Sequence, residues 1–243
     1  MDSFEIDSNI KLDNLVYPSH IGIIPDGNRR YALKKNKSAW WGHMKGYESL
    51  SDLISYFKDY DIHELSIYGF STENLNRSIN EKSNLFSIME LGLEKILDNN
   101  SDNIYNIKFP GNQNVLPEKL QRYIEDVESF TQFNSDKKLN ICLGYGGRDE
   151  LFYAFMNLHS GILNGIVRID DLEANSISRY LYVENDVDLL IRTSEERLSN
   201  FLIWQSSYAE IIFLKNLQWP EFNKDIFDAC LLEYSKRKRR FGK

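Results

Sequence analysis

The sequence predicts an α/β fold: one domain built on a six-stranded, mainly parallel sheet with helices on its faces. Two observations carry this. Short apolar runs alternate along the chain with longer stretches whose apolar residues recur at helical spacing, the pattern of repeated strand–crossover–strand units. Polar, glycine-bearing segments follow several of the apolar runs directly, and the carboxyl ends of parallel strands are where such a sheet exposes ligand sites. At 243 residues and 42% hydrophobic content the chain fills one core. No repeat, low-complexity linker or composition break marks a second domain, so the expected division is an N-terminal extension over 1–18 and a single domain over 19–243.

In chain order, strands are expected over His20–Ile24, Glu64–Phe70, Asn106–Phe109, Leu139–Leu143, Asp188–Ile191 and Glu210–Phe213. A helix is expected to begin near Asn28, and others over Gly46–Tyr60, Glu81–Asn99, Pro117–Phe133, Asp149–Leu163, Asp171–Leu181 and Asn223–Arg239. The helix over Glu81–Asn99 sets Leu85, Ile88, Met89, Gly92 and Ile96 on one stripe. Such a stripe packs into a core or lines a tunnel, and the pattern alone favours packing.

The formal charge of −7 argues against a surface devoted to nucleic acid, which rewards a net basic face. Cys142 and Cys230 are too few for a disulfide framework and show no zinc spacing, which suits a reducing compartment. The first fourteen residues lack the basic leader and apolar run of a signal peptide. No run reaches the roughly 18–20 apolar residues of a membrane-spanning helix. A soluble, cytoplasmic protein is the expectation.

The chemistry is expected in the segments after the strands. His20–Ile24 runs into Pro25-Asp26-Gly27-Asn28-Arg29-Arg30, where backbone amides turn toward an anion. A carboxylate there makes sense if a cation bridges it to the anion, as Mg²⁺ does with one or two carboxylates and phosphate oxygens. The plainer alternative is an Asx turn or helix cap. After the second strand, Gly69-Phe70-Ser71-Thr72-Glu73-Asn74-Leu75-Asn76-Arg77 offers a hydroxyl, amides and a cation, or a helix cap. After the fourth come Gly144-Tyr145-Gly146-Gly147-Arg148. After the fifth, Arg192-Thr193-Ser194-Glu195-Glu196-Arg197-Leu198-Ser199 places two guanidinium forks and a hydroxyl around a short loop, matched to a diphosphate or engaged with Glu195 and Glu196 in surface ion pairs. Glu210 opens the last strand, where a carboxylate needs a partner or a metal. His43, between Gly42 and Gly46, is the histidine placed to relay a proton. No P-loop, Ser-His-Asp pattern or zinc spacing is present.

Taken in order, His20–Ala32, Gly42-His43, Tyr68–Asn74 with Arg77, Asn140 with Tyr145–Arg148, Asp188–Thr193, Arg197–Gln205, Tyr208–Glu210, Trp219-Pro220 and Arg239–Gly242 resemble the cis-prenyltransferase family, the undecaprenyl diphosphate synthase-like enzymes. The resemblance implies a Mg²⁺-dependent homodimer with a hydrophobic tunnel, condensing isopentenyl diphosphate with an allylic prenyl diphosphate to a longer cis-polyprenyl diphosphate. By it, Asp26 and Glu210 would hold the metal. Gly27, Asn28, Arg29, Arg30 and Arg77 would bind the allylic diphosphate, and Arg192, Arg197 and Ser199 that of isopentenyl diphosphate. Phe70 would pack near the prenyl chain. Asn28, His43, Ser71 and Asn74 would surround the transferred proton, and Arg240 and Gly242 would reach the partner subunit's site. Peripheral membrane contact fits such a product, and nucleic acid does not.

The chain departs from the family pattern at Arg29, usually glycine, and at Tyr31 and Leu75, usually tryptophan. Ala39 stands where a basic residue is usual, and the Ser194-Glu195-Glu196 loop is one residue short. These departures keep open an atypical enzyme making short or irregular products from allylic diphosphates. A non-catalytic subunit of a heteromeric prenyltransferase is the third reading, disfavoured by retention of Asp26, Arg30, Arg192, Arg197, Ser199 and Glu210.

Overall fold

Parallel strands covered on both faces favour apolar side chains, so predominantly apolar runs form the centre of the sheet. In the computed structural model, which describes residues 15–98, 105–132 and 135–239, β1 (His20–Ile24) and β5 (Leu189–Thr193) are buried at every position. β2 (Glu64–Ser71) and β4 (Lys138–Tyr145) flank them on one side, and β3 (Asn106–Lys108) and β6 (Glu210–Leu214) form the edges. The order is β3-β4-β2-β1-β5-β6 with every pairing parallel. The chain leaves β1 toward β2 and later crosses from β4 to β5 on the other flank of β1. The crevice between β1 and β5 is therefore the switch point of the sheet, where ligands bind in open α/β folds.

Among the described residues six α-helices cover the sheet: α1 (Asn28–Lys34), α2 (Ala39–Phe57), α3 (Ile79–Asp98), α4 (Glu118–Thr131), α5 (Gly147–Leu163) and α6 (Lys224–Lys236). α2 begins two turns before the expected Gly46 because Ser38 caps it, accepting the Trp41 N–H at 3.3 Å. Gly46 sits inside that helix because the Asn28 amide lies against it, and any side chain there would overlap that group. The helix expected over Asp171–Leu181 does not form. Two 3₁₀ turns, Ile169–Asp171 and Ala174–Tyr180, take its place, the second closed by a capping box between Glu173 and Ser176. α6 stops at Lys236, short of the expected Arg239, where Arg237 turns extended and pairs with Glu210 and Glu233.

The larger core lies between the sheet and α2, α3, α4 and α6, around Phe57, Leu65, Ile67, Trp219 and Phe227. A smaller cluster, with Tyr145, Leu190, Phe201 and Leu202, covers the other face.

Candidate active site

The β1/β5 register sets Ile24 beside Arg192, so the segments that follow both strands emerge side by side. Asp26 is clamped to β5 through one hydroxyl: its N–H donates to Thr193 Oγ1 at 2.9 Å, and that hydroxyl donates to the Asp26 carbonyl at 2.6 Å. Gly27 turns the chain with φ 110°, in a space closed by the Ser194 and Gln218 side chains. Ser194 is itself left-handed at φ 70° and donates to Gln218 Oε1 at 2.8 Å. The shortened loop is thus tied to the Asp26 turn from beneath.

From this frame a closed ring of charged groups is built. Arg30 Nη2 and Arg192 Nη2 donate to the two carboxylate oxygens of Asp26, each at 2.9 Å. Arg192 Nη1 donates to Ser199 Oγ at 2.6 Å, and Arg197 Nε to the same hydroxyl at 3.2 Å. Arg197 and Arg30 then meet on Glu195, at 2.8 and 2.5 Å. The hydrogen bond from Arg30, with Arg197 nearby, holds the Glu195 carboxyl below its ordinary range. Glu196 points elsewhere, to Lys215. Arg192 is almost wholly buried, so its charge depends on this ring; Arg197 is largely exposed and turned toward the chamber.

A second hub gathers on Glu81 at the start of α3. Its Oε1 takes Arg77 at 3.0 Å and Arg29 at 3.4 Å, and lies 3.5 Å from His43 Nε2. Against the upward push of burial, Arg77, Arg29 and His43 hold the Glu81 carboxyl below its ordinary range. Burial, reinforced by the Arg77 charge, lowers the pKa of His43 and keeps its ring neutral at neutral pH. Ser71 and Asn74 hydrogen-bond each other in a capping box, at 3.2 and 3.3 Å, which fixes their positions below this hub. The expected cap is thus present, at residues that also line the chamber.

Arg30, Arg192, Glu195 and Arg197 of the ring and the Glu81 partners Arg29, Arg77 and His43 line one chamber of about 870 Å³, together with Asp26, Asn28, Ser71, Asn74 and Ser199. An apolar cavity of about 580 Å³ continues from it between the sheet, α2 and α3, lined by Leu50, Ile54, Ile67, Leu85, Ile88, Met89, Gly92 and Ile96 among others. The α3 stripe thus packs against the core and walls this cavity at the same time. Asn28, His43, Tyr68, Gly69 and Leu85 border both spaces, so the polar-to-apolar junction lies at Asn28 and His43. Asn28 Oδ1, His43 Nε2 and Arg192 Nε are buried here without a hydrogen-bond partner.

The fold brings together Asp26, Gly27, Asn28, Arg29, Arg30, His43, Ser71, Asn74, Arg77, Arg192, Arg197 and Ser199. Two expectations are corrected. Phe70 is fully buried against Phe86 and borders neither space; β2 turns the neighbouring Tyr68 and Gly69 to the cavities instead. Glu210 opens β6 at the amino end of the sheet, beside Leu189 and paired with Arg237 at 3.0 Å, at the opposite end from Asp26. One chain does not join these two carboxylates. Arg240 and Gly242 lie outside the described residues. Glu81 and the bridging role of Glu195 were missed. The Arg77–Glu81 spacing of four at a helix start was a signal for the first; for the second, the Glu195–Arg197 pair was among the expected ion pairs, and only its bridge to the distant Arg30 had no local mark.

Among the described residues no group of three or more His, Cys, Asp or Glu could cage a metal. Mg²⁺ requires no such cage, since it keeps waters and takes one or two carboxylates plus substrate oxygens; of the two carboxylates expected to hold it, Asp26 lines the chamber, with its oxygens bonded to Arg30 and Arg192, and Glu210 does not.

Comparison with known proteins gives a consistent picture. The family model of undecaprenyl diphosphate synthase matches residues 24–242. The chain is 40% identical to the tritrans,polycis-undecaprenyl-diphosphate synthase (geranylgeranyl-diphosphate specific) of Thermoplasma acidophilum, across 93% of this chain and 89% of that protein. It is 37% identical to the protein of the same name from Thermococcus kodakarensis, across 93% and 87%. Lavandulyl diphosphate synthase from Lavandula x intermedia, solved in complex with dimethylallyl diphosphate, superposes with a TM-score of 0.88 at 31% identity, covering 93% of this chain and 99% of that one.

Proposed function

The chain belongs to the undecaprenyl diphosphate synthase family and is a prenyltransferase, and we propose that it condenses isopentenyl diphosphate with an allylic primer to a long cis-polyprenyl diphosphate. The observation that carries this is the continuity of an arginine-lined chamber with an apolar tunnel, meeting at Asn28 and His43. A diphosphate head and a growing hydrocarbon tail need that pairing of environments. Because the relatives named above are geranylgeranyl-diphosphate specific, geranylgeranyl diphosphate is the proposed primer.

In this reading Arg30 and Arg77 receive the allylic diphosphate and stabilise the negative charge that grows on it as its carbon–oxygen bond breaks. Arg192, Arg197 and Ser199 hold the diphosphate of isopentenyl diphosphate, with their forks already oriented by the ring. Bound Mg²⁺ would neutralise diphosphate charge next to Asp26. After the new carbon–carbon bond forms, a proton leaves the isopentenyl unit among Asn28, His43, Ser71 and Asn74. The neutral His43 ring is able to accept one. Arg29, a departure from the family pattern, joins Arg77 on Glu81 and adds a cation at the allylic side.

A homodimer is proposed as the working form. α5 exposes Phe152, Phe155 and Met156 at spacings of three and four, an apolar stripe of the kind two copies cover. A second copy would also have to supply Glu210 if that residue is to meet Asp26.

The likeness to lavandulyl diphosphate synthase and the short Ser194–Glu196 loop support one second reading, coupling of allylic units to a short or irregular product. An assay with labelled isopentenyl diphosphate and separate primers, with products resolved by length and double-bond geometry, decides between them. Long cis products establish elongation. Product from dimethylallyl diphosphate alone establishes the second reading.

A further inference from the structure

Each arginine assigned above to a diphosphate already holds a carboxylate: Arg30 and Arg192 hold Asp26, Arg77 holds Glu81, and Arg197 holds Glu195. Arg30 has its whole fork engaged, with Nη2 on Asp26 at 2.9 Å and Nη1 on Glu195 Oε1 at 2.5 Å. Arg197 Nη1 donates to the other oxygen, Glu195 Oε2, at 2.8 Å. Glu195 therefore spans the two substrate sites, one oxygen on the arginine of the allylic side and one on that of the isopentenyl side. Asp26 makes a parallel bridge between Arg30 and Arg192, but its backbone is clamped to Thr193 and Arg192 is buried. The Glu195 bridge is the looser one, because the side chains of Arg30 and Arg197 are 41% and 61% exposed.

Local backbone selects this carboxylate. Ser194 lies at φ 70° and the Glu195 N–H donates to the Thr193 carbonyl at 2.8 Å, a three-residue turn that residues other than glycine seldom adopt. The Ser194 hydroxyl is fixed in it by Gln218 Oε1 at 2.8 Å. The next residue, Glu196, is sent the other way, to Lys215 at 2.8 Å. Of two adjacent carboxylates, the turn brings one into the chamber and leaves the other outside.

We propose that Glu195 is a positioning residue that stands in for a diphosphate and couples the two sites: the substrate that binds first displaces it, and the second finds its arginine free. This rests on the prenyl-transfer reading above. Arg30 can turn its full fork to a diphosphate only when Glu195 has left. The charge of the bound diphosphate then repels the carboxylate, which loosens its hold on Arg197 as well. Displacement is needed once, so each substrate tightens the binding of the other, and by the same factor. The ion pairs are partly exposed, which limits that factor to about fivefold and makes it fall with salt. A bridge that only braced the loop would act with the opposite sign, since its loss would slacken both arginines and weaken each substrate.

The test is binding without turnover. Isopentenyl diphosphate and geranylgeranyl thiolodiphosphate, whose sulfur in place of the ester oxygen resists ionisation, are titrated calorimetrically into the full chain with Mg²⁺, each alone and with the other saturating. The unaltered chain should show a mutual tightening of about fivefold that fades with added salt. In Glu195→Gln each substrate alone should bind about fivefold more tightly, and the mutual effect should vanish. Glu196→Gln, which loses only the Lys215 pair, should match the unaltered chain. Weaker binding of the single substrates in Glu195→Gln, a mutual effect that survives in it, or an equal change in Glu196→Gln overturns the proposal. Binding of both substrates by the unaltered chain with no mutual effect overturns the proposal alone and leaves the prenyl-transfer reading standing. Failure to bind isopentenyl diphosphate under any of these conditions overturns that reading and the proposal with it.

Discussion

At the amino end of the sheet, His20 is buried with both ring nitrogens engaged, Nε2 with Ser66 Oγ at 2.8 Å and Nδ1 with the Asp186 carbonyl at 3.1 Å. Asn140 donates to Ser66 and to Glu64, and Asn185 to the other oxygen of Glu64, at 2.6–2.9 Å. At the carboxyl end, His43 is also buried, but its Nε2 lacks a hydrogen-bond partner, as do Asn28 Oδ1 and Arg192 Nε. Burial lowers the pKa of both histidines. The difference lies in satisfaction. A closed polar network fixes structure, whereas buried polar atoms left open around a cavity are poised for something that arrives.

Four measurements would break or sharpen this contrast. The largest effect is expected at Asp26→Asn, which removes the charge and leaves one oxygen to accept from Arg30 or Arg192 where the carboxylate accepted from both. Turnover per folded molecule should fall about 10²–10³-fold, with some loss of thermal midpoint as the buried Arg192 loses a charged partner; an unchanged rate would remove Asp26 from the chemistry. Next, His20→Ala and His43→Ala should separate. The first should lose about 2–3 kcal/mol in urea unfolding, because the buried Ser66 hydroxyl loses one of its two partners and keeps only the bond from Asn140, with turnover per folded molecule preserved. The second should lower turnover at near-normal stability, and equal behaviour of the two would dissolve the comparison.

Arg197→Ala should raise the isopentenyl diphosphate KM roughly 10–100-fold, with a smaller change for the primer, since one charge-assisted contact is lost from an exposed arm of the ring. The smallest effect is in pH. A histidine held below its ordinary pKa stays neutral in the native state while the unfolded chain gains a proton below about pH 6.5. Stability therefore falls as pH falls through that value, by at most about 1.4 kcal/mol per unit for each such group. Replacing His20 with Gln should flatten the difference between urea midpoints at pH 7.5 and 5.5, and an unaltered difference would place that dependence elsewhere.

The strands, their polar termini and the residues that gather at the β1/β5 crevice were legible in the sequence because the signals are local. An apolar run, a glycine turn and an arginine after a strand each lie within a few residues, and parallel topology sends all strand termini to one edge. Three things were decided only in space. Periodicity put Leu85, Ile88, Met89, Gly92 and Ile96 on one face but not what that face meets, because a stripe against side chains and one against a cavity have the same spacing. The ring through Asp26, Arg192 and Glu195 closes across contacts as far as 166 residues apart, set by strand register. Glu210 by its type and position needed a partner or a metal, and the resemblance implied the metal; the parallel sheet sent it to the far end from Asp26, where Arg237 is the partner.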